Sequence, residues 1–248
     1  RRRVHRGDMD VGVMVLEDST DDVQEELDHL VALMQEQRGG EADPVRSGPL
    51  RAEAADLLRA AFSLGASPVQ AKALITEVYS PPRVTAQAAK HPRYGVLPGG
   101  AFDLRPGPDG RSWDFTDAAD RAECERRVDE IQPFVLIGCP PCTDFSIWNV
   151  NMNFQKMDAD EVSRRRIRAR VHLAFVVRLY RKQLARGAHF LHEHPASSTS
   201  CEEPIMQKLQ AEPGVSTVVG HMCRQGMRLG APDGRTLPVH KPTRRAST

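Results

Sequence analysis

The sequence predicts a mixed α/β fold: a mostly parallel sheet with helices on both faces. Three observations carry that expectation. From Lys72 onward, short apolar runs alternate with amphipathic helical stretches, the pattern of strands joined by helical crossovers. The run Phe134-Val135-Leu136-Ile137 is strongly apolar, as a strand buried inside such a sheet should be. Between it and the next apolar run, Phe190-Leu191, lies one long helical stretch. That is the length of a single crossover between neighbouring parallel strands.

The first segment, residues 1–70, reads as a helical and partly flexible extension. Ser19 or Thr20 can cap a helix whose first turn holds Asp21, Asp22 and Glu25. Val23, Leu27, Leu30 and Met34 then recur at helical spacing, and Gly39-Gly40 ends the pattern. A linker from Gly40 to Pro49 leads to a second amphipathic helix over Leu50 to Leu64, with Leu57, Leu58 and Phe62 as its apolar side. Both helices read as packing or partner-contact elements. The domain proper, residues 71–248, opens with a strand over Ala73 to Tyr79, a Pro-Pro turn, a short helix over Arg83 to Lys90 and a strand over Gly100 to Leu104. A charged helix, Ala118 to Ile131, precedes the strand Pro133 to Gly138. The long helix, about Asp158 to Arg186, carries Val162, Ile167, Val171, Phe175 and Leu179 on one side. A strand His189 to His192, a helix Glu202 to Gln210 and a strand Val215 to Met222 follow.

Composition narrows the function classes. Hydrophobic residues make up 40% and charged residues 27%, a globular balance, and the net charge of +1 gives no global pull toward nucleic acid or membrane. No apolar run approaches the roughly 18 to 20 residues of a membrane span, so no membrane partner is expected. Cys124, Cys139, Cys142, Cys201 and Cys223 are too few and irregular for a disulfide framework. Reduced thiols in the nucleus or cytoplasm are the expectation. The chain opens on Arg1-Arg2-Arg3 without an initiator Met, and reads as a piece of something longer.

In parallel sheets, ligands sit at the carboxyl ends of the strands. There the buried strand runs into Gly138-Cys139-Pro140-Pro141-Cys142-Thr143-Asp144-Phe145-Ser146, where glycine and two prolines turn the backbone out of the sheet and present Cys142. A thiol so placed becomes a nucleophile as thiolate. The next strand ends in His192-Glu193-His194-Pro195, a carboxylate between two imidazoles at the same edge. The separation, 193 − 142 = 51 residues, lets the two converge.

These residues resemble the motifs of the cytosine-5 DNA methyltransferases. Pro141-Cys142-Thr143-Asp144-Phe145-Ser146 is similar to the family's nucleophile motif, and Glu193-His194-Pro195 to its acidic motif. Upstream, Glu77-Val78-Tyr79-Ser80 resembles the first motif. Asp103 in Ala101-Phe102-Asp103 takes the place of the acid that holds the ribose of S-adenosylmethionine. Ser112-Trp113-Asp114-Phe115 resembles the element that approaches adenine. Cys223-Arg224-Gln225-Gly226 is faintly like a later element. The resemblance implies a Rossmann-like, class I methyltransferase-type sheet, incomplete and preceded by a helical extension. It implies S-adenosylmethionine as cofactor and DNA as partner, with Cys142 attacking cytosine C6 and Glu193 holding N3. Glu77, Tyr79, Asp103, Asp114 and Pro141 would stand on the cofactor side. Ser146, Arg164, Arg165 and Arg168 would meet nucleic acid, the arginine run Arg164-Arg165-Arg166 with Arg168 and Arg170 supplying phosphate contacts. Glu77 to Thr85 with His192 to Pro195 also looks similar to methyltransferase-like segments of protist Copia-type retroelement polyproteins, so the rest of a longer polyprotein is a further expected partner.

The sequence departs from the family pattern after its first motif, where Pro81-Pro82 stands in place of a glycine-rich turn and removes backbone donors. Thr143 and His194 replace the motif Gln and Asn, and no target-recognition region is recognisable before Thr248. Two alternatives therefore stand beside the enzyme. One is an inactive methyltransferase-like scaffold or binding module. The other is a structural zinc site using Cys139, Cys142, His192 and His194, weakened because the H-x-H pair is taken to straddle the strand. No metal is otherwise expected.

Overall fold

The computed structural model describes residues 17–38, 73–107, 109–232 and 234–248. The linker over Gly40 to Pro49 and the helix over Leu50 to Leu64 lie outside the described residues. Helix α1 (Glu17–Arg38) begins before the cap expected at Ser19 or Thr20, which falls within the helix. Its apolar row, Val23, Leu27, Leu30 and Met34, is buried as its spacing predicts.

The domain runs β1 (Ala73–Val78), α2 (Val84–Lys90), β2 (Val96–Phe102), α3 (Ala118–Ile131), β3 (Val135–Gly138), α4 (Ala159–Ala185), β4 (His189–Pro195), α5 (Pro204–Gln210), β5 (Ser216–His221), β6 (Arg228–Gly230), β7 (Thr236–Pro238) and β8 (Pro242–Ser247). Two of these helices start on aspartate caps that the sequence reading did not single out. Asp117 accepts the Ala119 amide at 2.8 Å to start α3, and Asp158 accepts the Asp160 amide at 2.9 Å to start α4. Helix α4 is the centre of the core. Val171 and the run Leu173 to Val177 are wholly buried, as are Leu179 and Tyr180. Its central turns are enclosed because the helix packs against β3 and β4, α1 and α5, while Ser163 and Arg168 in its first half are exposed.

Six strands form one sheet in the order β2-β1-β3-β4-β8-β5. β2, β1, β3 and β4 are parallel to their neighbours. β8 is antiparallel to both β4 and β5. The expected mixed α/β architecture with a mostly parallel sheet is thus observed. The sequence reading lacked β6, β7 and β8. β8 lies between β4 and β5, because the chain reverses after β5 and returns between the two strands. β2 also begins four residues earlier than expected; Pro98-Gly99-Gly100 is an unusual strand sequence, tolerated on the sheet's edge.

Register assigns the faces. Glu77 is level with Ile137, and Gly138 with His192, so Glu77 and Ile137 share one face while Val78, Gly138 and His192 share the other. Thr85 of α2 bonds Glu77 and Tyr180 of α4 bonds His192, which puts α2 and α4 on opposite faces. Among the described residues, no helix is long and apolar enough to cross a membrane.

Candidate functional site

The site begins at Gly138. A Cβ there would lie 2.0 Å from the Tyr180 hydroxyl oxygen, so glycine alone lets α4 approach β3 this closely. The Cys139 amide donates to the Val78 carbonyl at 3.2 Å, and the chain then leaves the sheet through Pro140 and Pro141. Cys142 heads a single 3-10 turn, Thr143–Phe145. That turn is fixed from several sides. Phe145 is buried, Asp144 pairs with Arg165 of α4 at 2.6 Å, and the Thr199 hydroxyl donates to the Phe145 carbonyl at 3.1 Å.

Glu193 arrives on the neighbouring strand. Since Gly138 is level with His192, Glu193 stands beside the start of the Cys139–Cys142 loop. Its carboxylate faces Lys241 Nζ at 3.6 Å, both side chains being partly exposed. Burial pushes the Cys142 thiol above its ordinary range; a backbone hydrogen bond opposes it, Glu193 adds to the rise, and Lys241 opposes it least. Cys139 is pushed up to about 12 by burial, then by Glu193 and Glu77. Both sulfurs are thiols at neutral pH, and both lie in the field of Glu193.

His194 ties the two loops together. Its Nε2 lies 2.9 Å from the Pro140 carbonyl, which can only accept, so Nε2 carries the proton. Nδ1 then accepts from the Ser200 hydroxyl at 2.6 Å, and Ser200 in turn accepts from Ser198 at 2.9 Å. Burial holds His194 and His192 neutral, lowering both. The two histidine rings are 4.6 Å apart and both are buried. The expectation that they straddle the strand is corrected here: residues two apart on a strand share a face, and this pair lies on the α4 side, away from Glu193. The His194 nitrogens are spent on Pro140 and Ser200. No group of three or more metal-ligating residues occurs among the described residues, so the four-ligand zinc site does not assemble.

The residues expected on the cofactor side take varied positions. Glu77 is 1% exposed, and its carboxylate accepts from the Ser80 hydroxyl (3.0 Å), the Arg83 amide (3.0 Å), and the Thr85 amide (2.8 Å) and hydroxyl (2.7 Å). It shapes the Pro81-Pro82 turn and starts α2. Tyr79 sits at φ 61°, a left-handed conformation rarely taken by non-glycine residues. Its ring packs against Phe115, 4.7 Å between centroids, and its hydroxyl contacts His172 Nδ1 at 3.1 Å. Asp103, at the end of β2, accepts the Arg105 amide at 2.9 Å. Asp114 accepts the Thr116 amide and hydroxyl and is exposed. The Trp113 amide donates to the Asp103 carbonyl at 2.9 Å, linking these two acids through the backbone. Pro141 is exposed in the Cys142 loop. An open groove of about 490 Å³ lies beside the sheet edge between α2 and β2, lined by residues including Thr85, Ala89, Gly100, Phe102 and Trp113. None of the sequence-derived site residues lines it.

Of the residues expected to meet nucleic acid, Ser146 accepts the Trp148 amide through Oγ at 3.3 Å. Arg164 pairs with Glu161 at 2.8 Å and Arg170 with Glu203 at 2.8 Å. Arg165 is engaged by Asp144, while Arg168 lies within the field acting on His172. Sequence reasoning missed Lys241, Tyr180 and Ser200. Tyr180 belongs to an ordinary apolar helix row, and Lys241 reaches Glu193 only because β8 inserts beside β4.

No protein-family model matches this sequence, and no curated protein or solved structure is significantly similar to it. The fold and site define a mixed α/β protein in which the loop after β3 carries two thiols and the adjacent parallel strand β4 carries the Glu193 carboxylate.

Proposed function

We propose that the chain is a cytosine-5 DNA methyltransferase-like domain in which Cys142 and Glu193 act as a pair. The observation that carries this reading is the parallel register of β3 and β4, which delivers both residues to one end of the sheet. The order β2-β1-β3-β4 followed by a reversed strand β8 and then β5 also fits the class I methyltransferase-type sheet that the resemblance implies.

The Cys142 sulfur, once deprotonated, would add to C6 of a flipped-out cytosine. Glu193 would hold the ring at N3 as negative charge develops there. C5 then takes the methyl group, and loss of the C5 proton with expulsion of the Cys142 sulfur restores the ring. His194 would orient the loop through Pro140. Asp103 and Asp114 would meet the ribose and adenine of S-adenosylmethionine, as the resemblance implies; their two segments are tied together by the Trp113 amide to Asp103 carbonyl bond at the end of β2. Bound there, the cofactor would supply an electrophilic methyl group.

One observation favours a second reading, the inactive binding or scaffold module of a mobile-element polyprotein. The Arg83 and Thr85 amides that follow Pro81-Pro82 both donate to Glu77, so they are not turned toward a ligand. Calorimetric titration of S-adenosylmethionine, with Asp103→Ala as control, separates the two. Binding abolished by the control, followed by covalent trapping of Cys142 on a 5-fluorocytosine oligonucleotide, is the expected outcome for the enzyme. Absence of heat and of thermal shift up to millimolar ligand would leave the module.

A further inference from the structure

We propose that the β6–β7 hairpin and the segments that carry it form a basic ribbon that grips the phosphates of duplex DNA; the choice of DNA rests on the reading of this chain as a methyltransferase-like domain. Charge is segregated along the sequence. Residues 216–248 hold six Lys and Arg against one Asp, a net charge of +5. The preceding residues hold 28 Lys and Arg against 32 Asp and Glu, a net charge of −4. A near-neutral total thus conceals a basic C-terminal surface, and local clustering of that kind attracts polyanions.

Topology puts this charge beside the site. β5 ends at His221, level with Pro242 at the start of β8, and Thr243 is level with Pro195 at the end of β4. Residues 222–241 therefore leave and re-enter the sheet at the end to which β3 and β4 deliver Cys142 and Glu193. Backbone bonds fix the root of the hairpin. The Met222 amide donates to the Lys241 carbonyl at 3.0 Å, the Met227 amide to the Met222 carbonyl at 3.1 Å, and the Val239 amide to the Met227 carbonyl at 3.0 Å. Lys241, within that root, stands 3.6 Å from the Glu193 carboxylate.

The cations of this surface are available. Arg224 and Arg228 are exposed, and Arg228 lies along the ribbon, donating to the Thr236 carbonyl at 2.8 Å. Arg245 braces the root by bonding Gln225 at 2.6 Å. None of the three pairs with a carboxylate among the described residues. By contrast, Arg164, Arg165 and Arg170 of α4 are engaged by Glu161, Asp144 and Glu203. A two-stranded ribbon is a shape that the major groove admits. Leu229 and Leu237, level with each other and exposed, give it an apolar side of the kind that meets thymine methyl groups.

The test is fluorescence anisotropy of a labelled duplex of about 20 base pairs, titrated with the full chain at several salt concentrations and without cofactor. Joint Arg224→Gln and Arg228→Gln is expected to weaken binding roughly ten- to hundredfold at low salt. It should also lower the slope of log affinity against log salt by about 2, one phosphate contact for each arginine. Joint Arg224→Lys and Arg228→Lys is expected to keep the slope, since an ammonium still meets a phosphate. Joint Arg164→Gln and Arg170→Gln on α4 should leave it unchanged. Wild-type affinity and slope in the Arg224→Gln, Arg228→Gln chain, with unchanged melting, would overturn the proposal. A chain that binds no duplex, that binds phosphatidylserine vesicles instead, or that prefers the single strand overturns it too. If the Gln variant does not fold, photocrosslinking of the wild-type chain to an iodouracil-substituted duplex decides. Crosslinks within residues 222–241 support the ribbon, and crosslinks confined to α4 overturn it. Failure to bind S-adenosylmethionine removes the enzyme reading while hairpin-dependent DNA binding stands. Cofactor binding and trapping of Cys142, with DNA binding indifferent to the hairpin arginines, removes the role of the hairpin alone.

Discussion

A single buried carboxylate shapes the turn after β1. Glu77 is enclosed, and four donors converge on it. Its truncation in Glu77→Ala would strand two amides and the Thr85 hydroxyl beneath the Pro81-Pro82 turn, while the Ser80 hydroxyl keeps the Pro81 carbonyl at 2.9 Å. Each unpaired buried donor costs about 1–3 kcal/mol, partly relieved by local relaxation. We expect a net loss of roughly 3 kcal/mol in urea unfolding, with Glu77→Gln losing less because the amide oxygen still accepts. In the sequence, Glu77 stood out only as part of a motif resemblance. The donors it gathers come from three to eight residues onward, and nothing in their identities announces that they fold back on it.

Elements tell a similar story with a different balance. The apolar row of α1 was legible because Val23, Leu27, Leu30 and Met34 follow the helical period. The surface it meets was not: α4 carries apolar residues around its whole circumference, and periodicity along one helix does not name a partner. Arg178 of α4 connects the layers, bonding Gln24 of α1 and pairing with Glu125 of α3 at 2.9 Å. Leu27→Ala should cost about 2–5 kcal/mol, the range for deleting a buried leucine. It should do so in the same cooperative transition as the domain, measured by coincident circular dichroism and fluorescence melts. An early, separate transition of α1 would show that the helix is only loosely attached. The three C-terminal strands were missed for a plain reason. Pro242-Thr243-Arg244-Arg245-Ala246-Ser247 has no long apolar run, since only Thr243 and Ala246 are deeply buried, and small or polar residues in a strand leave no strong pattern.

Across the whole molecule, buried imidazoles set the acid limit. His172 is lowered to about 4, chiefly by burial, and His192 and His194 are lowered for the same leading reason. The folded protein therefore binds fewer protons at these sites than the unfolded chain. Their contribution is fully present above the ordinary histidine range near ~6.5 and is lost as pH falls from there through the folded values. For His172 alone the shift corresponds to on the order of 3 kcal/mol. Urea midpoints should therefore fall steeply between about pH 6.5 and about pH 4, and His172→Gln should flatten that slope while lowering the midpoint at neutral pH.

What the sequence by itself determined is the alternation that builds the parallel sheet, the apolar row of α1, the Pro140-Pro141 turn that ends β3, and the placing of Glu193 at the end of the next strand. Each is written in residues close together along the chain, where period and turn chemistry act locally. Only the tertiary structure decided the insertion of β8 between β4 and β5, the approach of Lys241 to Glu193, the engagement of Glu77 beneath its turn, and the shared face of His192 and His194. All but the last depend on residues brought together by folding rather than by sequence spacing. The last follows from the two-residue period of a strand once His189–Pro195 is known to remain extended through Pro195.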